Sequence, residues 1–308
     1  MGANDVIAAG RSGADAPVRS RGPWRQALAR FRRRPVGILA VLVVLAFVVT
    51  AVLTPRITPY SGAQLFFDYI NDPQPPAWHG PHVLGTDVIG HDMLTQLLWA
   101  IHESVFDGLG VAAGATALGL VFGMVSGWFG GVLDSAVGLV IGLVVSVPAL
   151  AILGIVLTFY NPVPLWAYPV TLAFCLWVYV ARAVHASFRS LRQREFVEAA
   201  RAAGASGPRI VFRHLLPNTM GAVLVAATGI VGQSIVIIAT VEYFGWGNQQ
   251  SDRPTLGGLI VKATTRMPGG QYPPWWIWVL PIATLGLLLA SVNFAADTLD
   301  DVLEPGRS

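Results

Sequence analysis

Residues 194–218 read REFVEAARAAGASGPRIVFRHLLPN, a charged and glycine-punctuated stretch set between two long apolar runs. Ala199, Ala200, Ala202 and Ala203, with Arg194 and Glu198 four apart, predict a small-surfaced helix over 189–203. Gly204 is placed to end it in a left-handed conformation. Ser206 can cap a second short helix, about 207–216, with Pro208 in its first turn. Ile210, Val211, Phe212, Leu215 and Leu216 surround most of that helix, and Arg209 and Arg213 share one face. Pro217 is expected to stop it and Asn218 to cap the apolar run that follows. Two short helices joined at a glycine elbow result. The second is too apolar to face water, so it needs lipid or another protein against it.

The flanking chain says where this loop lies. Of 308 residues, 54% are apolar and 12% charged, against roughly a quarter charged in soluble proteins. Six stretches meet the ~20 apolar residues a bilayer crossing needs: Val36–Leu53, Val105–Val125, Ser135–Tyr160, Leu165–Val184, Met220–Val241 and Trp275–Ala296. They leave no room for a soluble domain of usual size. The expectation is an all-α membrane protein of six transmembrane helices.

Charge placement orients it. Residues 1–34 hold eight of the 20 basic residues, and Arg182 to Arg213 hold seven more. The loop 54–104 has only Arg56 against Asp68, Asp72, Asp87, Asp92 and Glu103. Positive charge marks the cytoplasmic side. The 1–34 tail, the 194–218 loop and the C-terminal tail, 298–308, are therefore expected in the cytosol, with 54–104 outside. The Arg-rich tail reads as a topology signal and not as a nucleic-acid site, and no cleavable leader is read from it.

Within the spans, Gly110 and Gly114, then Gly119, Gly123 and Gly127, recur at helical spacing, as do Gly138 and Gly142 in the third span. Such small residues let helices approach closely in lipid. Pro148 is expected to kink the third span. Ionisable groups are nearly absent from the spans: Asp107 lies near the start of the second, and Arg182 and Glu242 lie at boundaries. An ion-coupled transporter or a channel would call for charges or a polar lining at membrane depth. The only lysine, Lys262, follows Val261, so no P-loop exists for ATP. Any ATP-Mg belongs to a partner, and no cofactor is expected on this chain. His79, His82, His91 and His102 with Asp87, Asp92 and Glu103 offer metal-ligand chemistry but no compact ligand spacing. Hydrogen bonding within the loop or contact with a partner is the preferred reading. No nucleophile elbow is present. Cys175, inside the fourth span, reads as a small buried side chain.

The 194–218 loop resembles the EAA loop of bacterial ABC importer permeases, through Glu198-Ala199-Ala200, Gly204, Ile210, Arg213-His214 and Leu216-Pro217-Asn218. The segment HVLGTDVIGHD (82–92) resembles the signature ahead of the second span in the C-type permease of dipeptide/oligopeptide importers, through His82, Leu84-Gly85-Thr86-Asp87, Gly90 and Asp92. It departs from that signature at His91, Thr95-Gln96 and His102–Val105. YFGWGNQQSDRPTLGGLI (243–260) and Asn293, Asp297, Asp301 and Pro305 extend the likeness over roughly residues 25–305. The resemblance implies the type I ABC importer permease fold in the inner membrane, with an ABC transmembrane domain over 102–297 preceded by a first span and outer loop over 35–101. It implies a non-catalytic subunit, with a coupling helix after Gly204 that docks on a cytosolic ATPase. It further implies a homologous second permease, two ATPase domains and an extracytoplasmic peptide-binding protein as partners. Nickel or another small solute stays open as cargo.

Overall fold

In the computed structural model, residues 30–160, 163–164, 166–246, 253–264 and 270–303 are described. Helix α1 runs Pro35–Ile57, with proline in its first turn where its missing N–H costs nothing. A loop through 58–92 leads to α2, Met93–Phe129, started by Asp92, whose carboxylate accepts from Thr95 N at 2.8 Å. Then come α3 (Gly131–Ser146), α4 (Ala149–Thr158) and α5 (Ala167–Leu191). Short α6 (Glu195–Ala202) precedes α7 (Gly207–Tyr243), α8 (Leu256–Thr264) and α9 (Trp275–Leu303). Among the described residues five helices are long and apolar enough to cross a membrane, or six with α3 and α4, bent by 71°, taken as one span.

The second span starts earlier than the apolar run indicates. Residues 93–104, expected in the loop, are helical, because Asp92 caps them and their charges lie on a helix that turns polar near its end. At 37 residues α2 is about 55 Å long, well beyond the ~30 Å hydrocarbon core.

The glycines of α2 face α5, the most buried of the long helices. A Cβ at Gly114 would stand 2.8 Å from Ala173 Cβ, and one at Gly119 2.8 Å from Trp177 O. At Gly123 and Gly127 it would stand 2.7 Å from Ala181 O and from Phe188 Cβ. Partner numbers rise together along both helices, so α2 and α5 run parallel. The chain between them must therefore recross the layer, which α3 and α4 accomplish. Pro148 does more than kink this span: it disfavours the helical conformation at Val147 and caps α4 as a separate helix. Gly138 and Gly142, expected to pack tightly, have nothing within 4 Å of an added Cβ among the described residues.

Proline also shapes α1. Pro55 has no N–H for the Ala51 carbonyl four residues back. His102 of α2 fills the gap, its Nδ1 donating to Ala51 O at 2.6 Å. Beside it Thr54 Oγ1 donates to Thr50 O and lies 3.2 Å from Leu98 O. His102 is thus a helix-pairing residue and is withdrawn from the loop histidines. At the other end of the bundle, Arg34 pairs with Asp301, and Gly37 lies against Thr298. The described beginning and end of the chain therefore share one face of the membrane layer. Residues 298–303, expected in a tail, complete α9.

Two outcomes test this packing. Gly119→Ala should destabilise the detergent-solubilised protein by about 1–3 kcal/mol through overpacking, whereas Gly142→Ala should leave its melting temperature unchanged. His102→Ala should cost about 1–3 kcal/mol by orphaning a buried carbonyl. Adding Pro55→Ala, which restores the N–H, should recover most of that loss in the same thermal melt.

Candidate functional site

The 194–218 loop departs from its predicted form in an informative way. Arg194 is the N-cap of α6 and not a residue within a 189–203 helix, because the chain turns at 192–194 between α5 and α6. Gly204 adopts φ +80°, with open space around the position of a Cβ. Ser206 begins α7 without a side-chain capping bond. The expected separate helix over 207–216 does not exist: α7 continues through Pro217. A π-helical turn over Val211–Leu215 makes this possible. Leu216 N donates to Val211 O, five residues back, and the wider turn accommodates the proline ring. Asn218 does not cap a span; its Nδ2 donates to His214 O at 2.6 Å. Thr219 Oγ1 likewise donates to Leu215 O at 2.9 Å.

The apolar residues of this turn divide between two environments. Ile210, Val211 and Leu215 are buried with Val197 in the main core, while Phe212 is 62% exposed. Arg209, Arg213, Glu198 and Ala199 are exposed, and Ala200, His214 and Leu216 half-buried. The loop is therefore bolted to the bundle by one face and presents Phe212 between arginines on the other.

At the opposite end, the 58–92 loop gathers every predicted signature residue. His82 Nδ1 meets Asp92 Oδ1 at 3.0 Å, both buried, within a ring of Tyr60, Phe66 and Tyr69. Asp87 accepts from Ile89 N (3.0 Å), His91 N (2.7 Å) and His91 Nδ1 (2.9 Å). Burial works to raise its carboxyl, but the hydrogen bonds and charge of His91, with the charge of Lys262, outweigh this and hold it below the usual carboxylate value. Gly85 has φ +80°, and a Cβ there would stand 2.5 Å from Gln74 O. Gly90, at φ +89°, approaches Phe66 O equally closely. Thr86 accepts at Oγ1 from Gln74 N, and its carbonyl accepts from Trp276 Nε1 of α9 at 3.1 Å. Leu84 packs on Met93, Trp276 and Ile277. Among the described residues no three histidine, cysteine or acidic side chains are grouped to hold a metal.

Buried acids escaped the sequence reading. Glu242, taken as a span-boundary charge, is inside the bundle, accepting from Tyr168 OH at 3.1 Å and from Thr255 Oγ1. Glu103, Asp107 and Arg253 lie within electrostatic range of it or of one another. Asp107 stands four turns into α2 because that helix begins at Met93. Lys262, on α8, donates to Gln96 Oε1 at 3.4 Å and faces Asp87. These groups lie in sequence segments whose hydropathy is dominated by their neighbours, so no single-sequence signal marks them as partners. Residues 1–29, 247–252 and Pro305, used in the sequence comparison above, lie outside the described residues.

Over residues 119–308 the sequence matches the family described as binding-protein-dependent transport system inner membrane component. The chain belongs to that family. Residues 22–76 match the N-terminal TM domain of oligopeptide transport permease C. The oligopeptide transport system permease protein OppC of Mycobacterium tuberculosis is 32% identical over 277 residues, 90% of this chain and 92% of that protein. OppC of Bacillus subtilis is 26% identical, covering 92% and 89%. The glutathione transport system permease protein GsiD of Shigella dysenteriae is 29% identical, covering 94% and 92%. Among solved structures, the inward-facing MetNI methionine ABC transporter superposes with a TM-score of 0.53 at 20% identity, over 68% of this chain and 97% of that one. The likeness establishes the ABC importer permease fold in a multi-pass membrane protein.

Asp87→Asn tests the loop. A carboxyl held low when folded stabilises above its ordinary value near 3.8 and ceases to do so as pH falls through the folded value. The variant should therefore melt earlier than wild type by on the order of 2 kcal/mol at pH 7. The gap should narrow below pH about 4, read by thermal unfolding in detergent.

Proposed function

We propose that this chain is the membrane-spanning permease subunit of an ATP-driven importer of dipeptides or oligopeptides. The cited relatives are named for oligopeptide and glutathione transport, and both cargoes are peptides. The chain itself does no chemistry. Hydrolysis of ATP-Mg falls to two cytosolic ATPase domains, and an extracytoplasmic peptide-binding protein delivers cargo to the 58–92 face. A homologous second permease completes the path. Helix α3 suits such a neighbour: Leu139 and Leu143 are exposed on it, and Gly138 and Gly142 are unopposed. Both chain ends and the 194–218 loop are assigned to the cytosol, in keeping with the arginine bias and with the Arg34–Asp301 pairing.

The continuity of α7 supports a coupling role most directly. Glu198, Ala199 and Ala200 form the small-surfaced approach, Gly204 sets the angle, and Arg213 faces the ATPase. Ile210 and Leu215 anchor the turn in the core, and Phe212 turns to the apolar side beside Trp128 and Phe129, leaving the ATPase contact to Arg213. His214, Leu216, Pro217 and Asn218 carry the helix through the π turn into the membrane. A push on the loop is delivered straight into a 37-residue helix, with no flexible joint between Gly207 and Tyr243 to absorb it. The outer signature, His82 to Asp92, holds the mouth against α2 and α9.

Gly204→Val strains the elbow by ~1 kcal/mol or more, and Arg213→Glu inverts the exposed charge. In cells containing the partner subunits, both variants should insert normally and lose labelled-peptide uptake about tenfold or more. ATPase activity should fall or run uncoupled. Wild-type uptake in both, at equal protein levels, would refute this role.

A further inference from the structure

We propose that the arginine-bearing end of the bundle holds an anionic phospholipid, its phosphate beside Trp128 and one acyl chain in the adjoining apolar groove. A cavity of about 460 Å³ opens where α2, α3, α5 and α6 meet. Arg189, Arg192 and Arg201 line it with His185, Asp134 and Glu198. Asp134 lies 3.5 Å from His185 Nδ1. No carboxylate among the described residues stands within ion-pairing distance of the three guanidinium groups. Two of them gather on one indole: Arg192 Cζ is 5.8 Å and Arg201 Cζ 5.6 Å from the Trp128 ring centre. Arg192 is fixed there by its bond to Trp128 O at 2.7 Å. Planar guanidiniums held with free N–H groups suit a phosphate diester.

Trp128 also lines a second cavity of about 340 Å³, with Val121, Val125, Phe129, Val211 and Phe212. Phe129 and Phe212 are 63% and 62% exposed at its rim. A free phosphate would use only the cationic side. A phospholipid uses both, with tryptophan at the level where headgroup and chain meet, as at other membrane interfaces. Two carboxylates against three arginines leave the cationic cavity positive, which favours an anionic headgroup over a zwitterionic one. The proposal rests on the bundle being in a membrane and not on what it transports.

The test is lipid retention by the full chain, measured by native mass spectrometry after reconstitution with phosphatidylglycerol and phosphatidylethanolamine of matched chains. Wild type should retain phosphatidylglycerol preferentially. Arg189→Gln and Arg201→Gln, which remove no hydrogen bond of the fold, should each weaken that retention roughly fivefold. Val121→Trp, which fills the groove from an exposed position, should weaken it without changing charge. Equal retention of the two lipids, or unchanged retention in the double arginine variant, overturns the proposal. Displacement by millimolar inorganic phosphate overturns it in favour of a soluble anion. Loss of the lipid when the ATPase subunits are added overturns it in favour of a protein contact. Peptide uptake enters none of these measurements, so failure here is separable from failure of the importer reading.

Discussion

Close backbone approach between α2 and α5 is the constraint on which the rest of this structure depends. Lipid tails are as apolar as leucine, so helices in a bilayer gain little by hiding apolar surface from water. They associate through tight van der Waals packing instead. Glycine at 114, 119, 123 and 127 gives α2 a groove in which the α5 backbone and its Cβ atoms lie. Because the two helices are parallel, everything between them is forced to recross the membrane. The return is made by two short helices that meet at 71° on either side of Pro148. Helix α3 is sparsely packed, with Leu139 and Leu143 exposed along it.

A second theme is how prolines in long helices are accommodated. Each removes a backbone bond that lipid cannot replace, at a cost of several kcal/mol if nothing else fills the place. At Pro55 a histidine from the next helix donates to the freed carbonyl. At Pro217 the helix widens into a π turn, and Asn218 and Thr219 bond carbonyls of that turn. The second solution lies inside the proposed coupling segment. It keeps α7 continuous from Gly207 to Tyr243. A proline that ended the helix would have left a hinge there.

The outer loop shows the same economy with polar groups. Asp92 caps α2 with one oxygen and holds His82 with the other. Asp87 collects three donors within five residues. Two of the four histidines that suggested metal ligation, His82 and His91, are held by these carboxylates. Gly85 and Gly90 permit backbone from 66 and 74 to close over the motif. The loop is thus a folded cap tied to α9 through Trp276.

The sequence by itself determined the membrane class, the six crossings and the left-handed elbow at Gly204. Those properties follow from hydropathy summed over some twenty residues, from charge bias, and from the unique tolerance of glycine for positive φ. Local signals misled where neighbours in space override them. Proline stops a helix in water, yet Pro217 does not, because the π turn ahead of it widens the helix around its ring. Glu242 looked marginal, yet it is buried and accepts from Tyr168 and Thr255, and Asp107 stands four turns into α2 because Asp92 starts that helix early. Gly138 and Gly142 have the spacing of a packing seam, yet it is Gly110 to Gly127 of α2 that met a helix. Spacing fixes which residues share a face, but what lies opposite that face is decided only when the whole bundle has assembled.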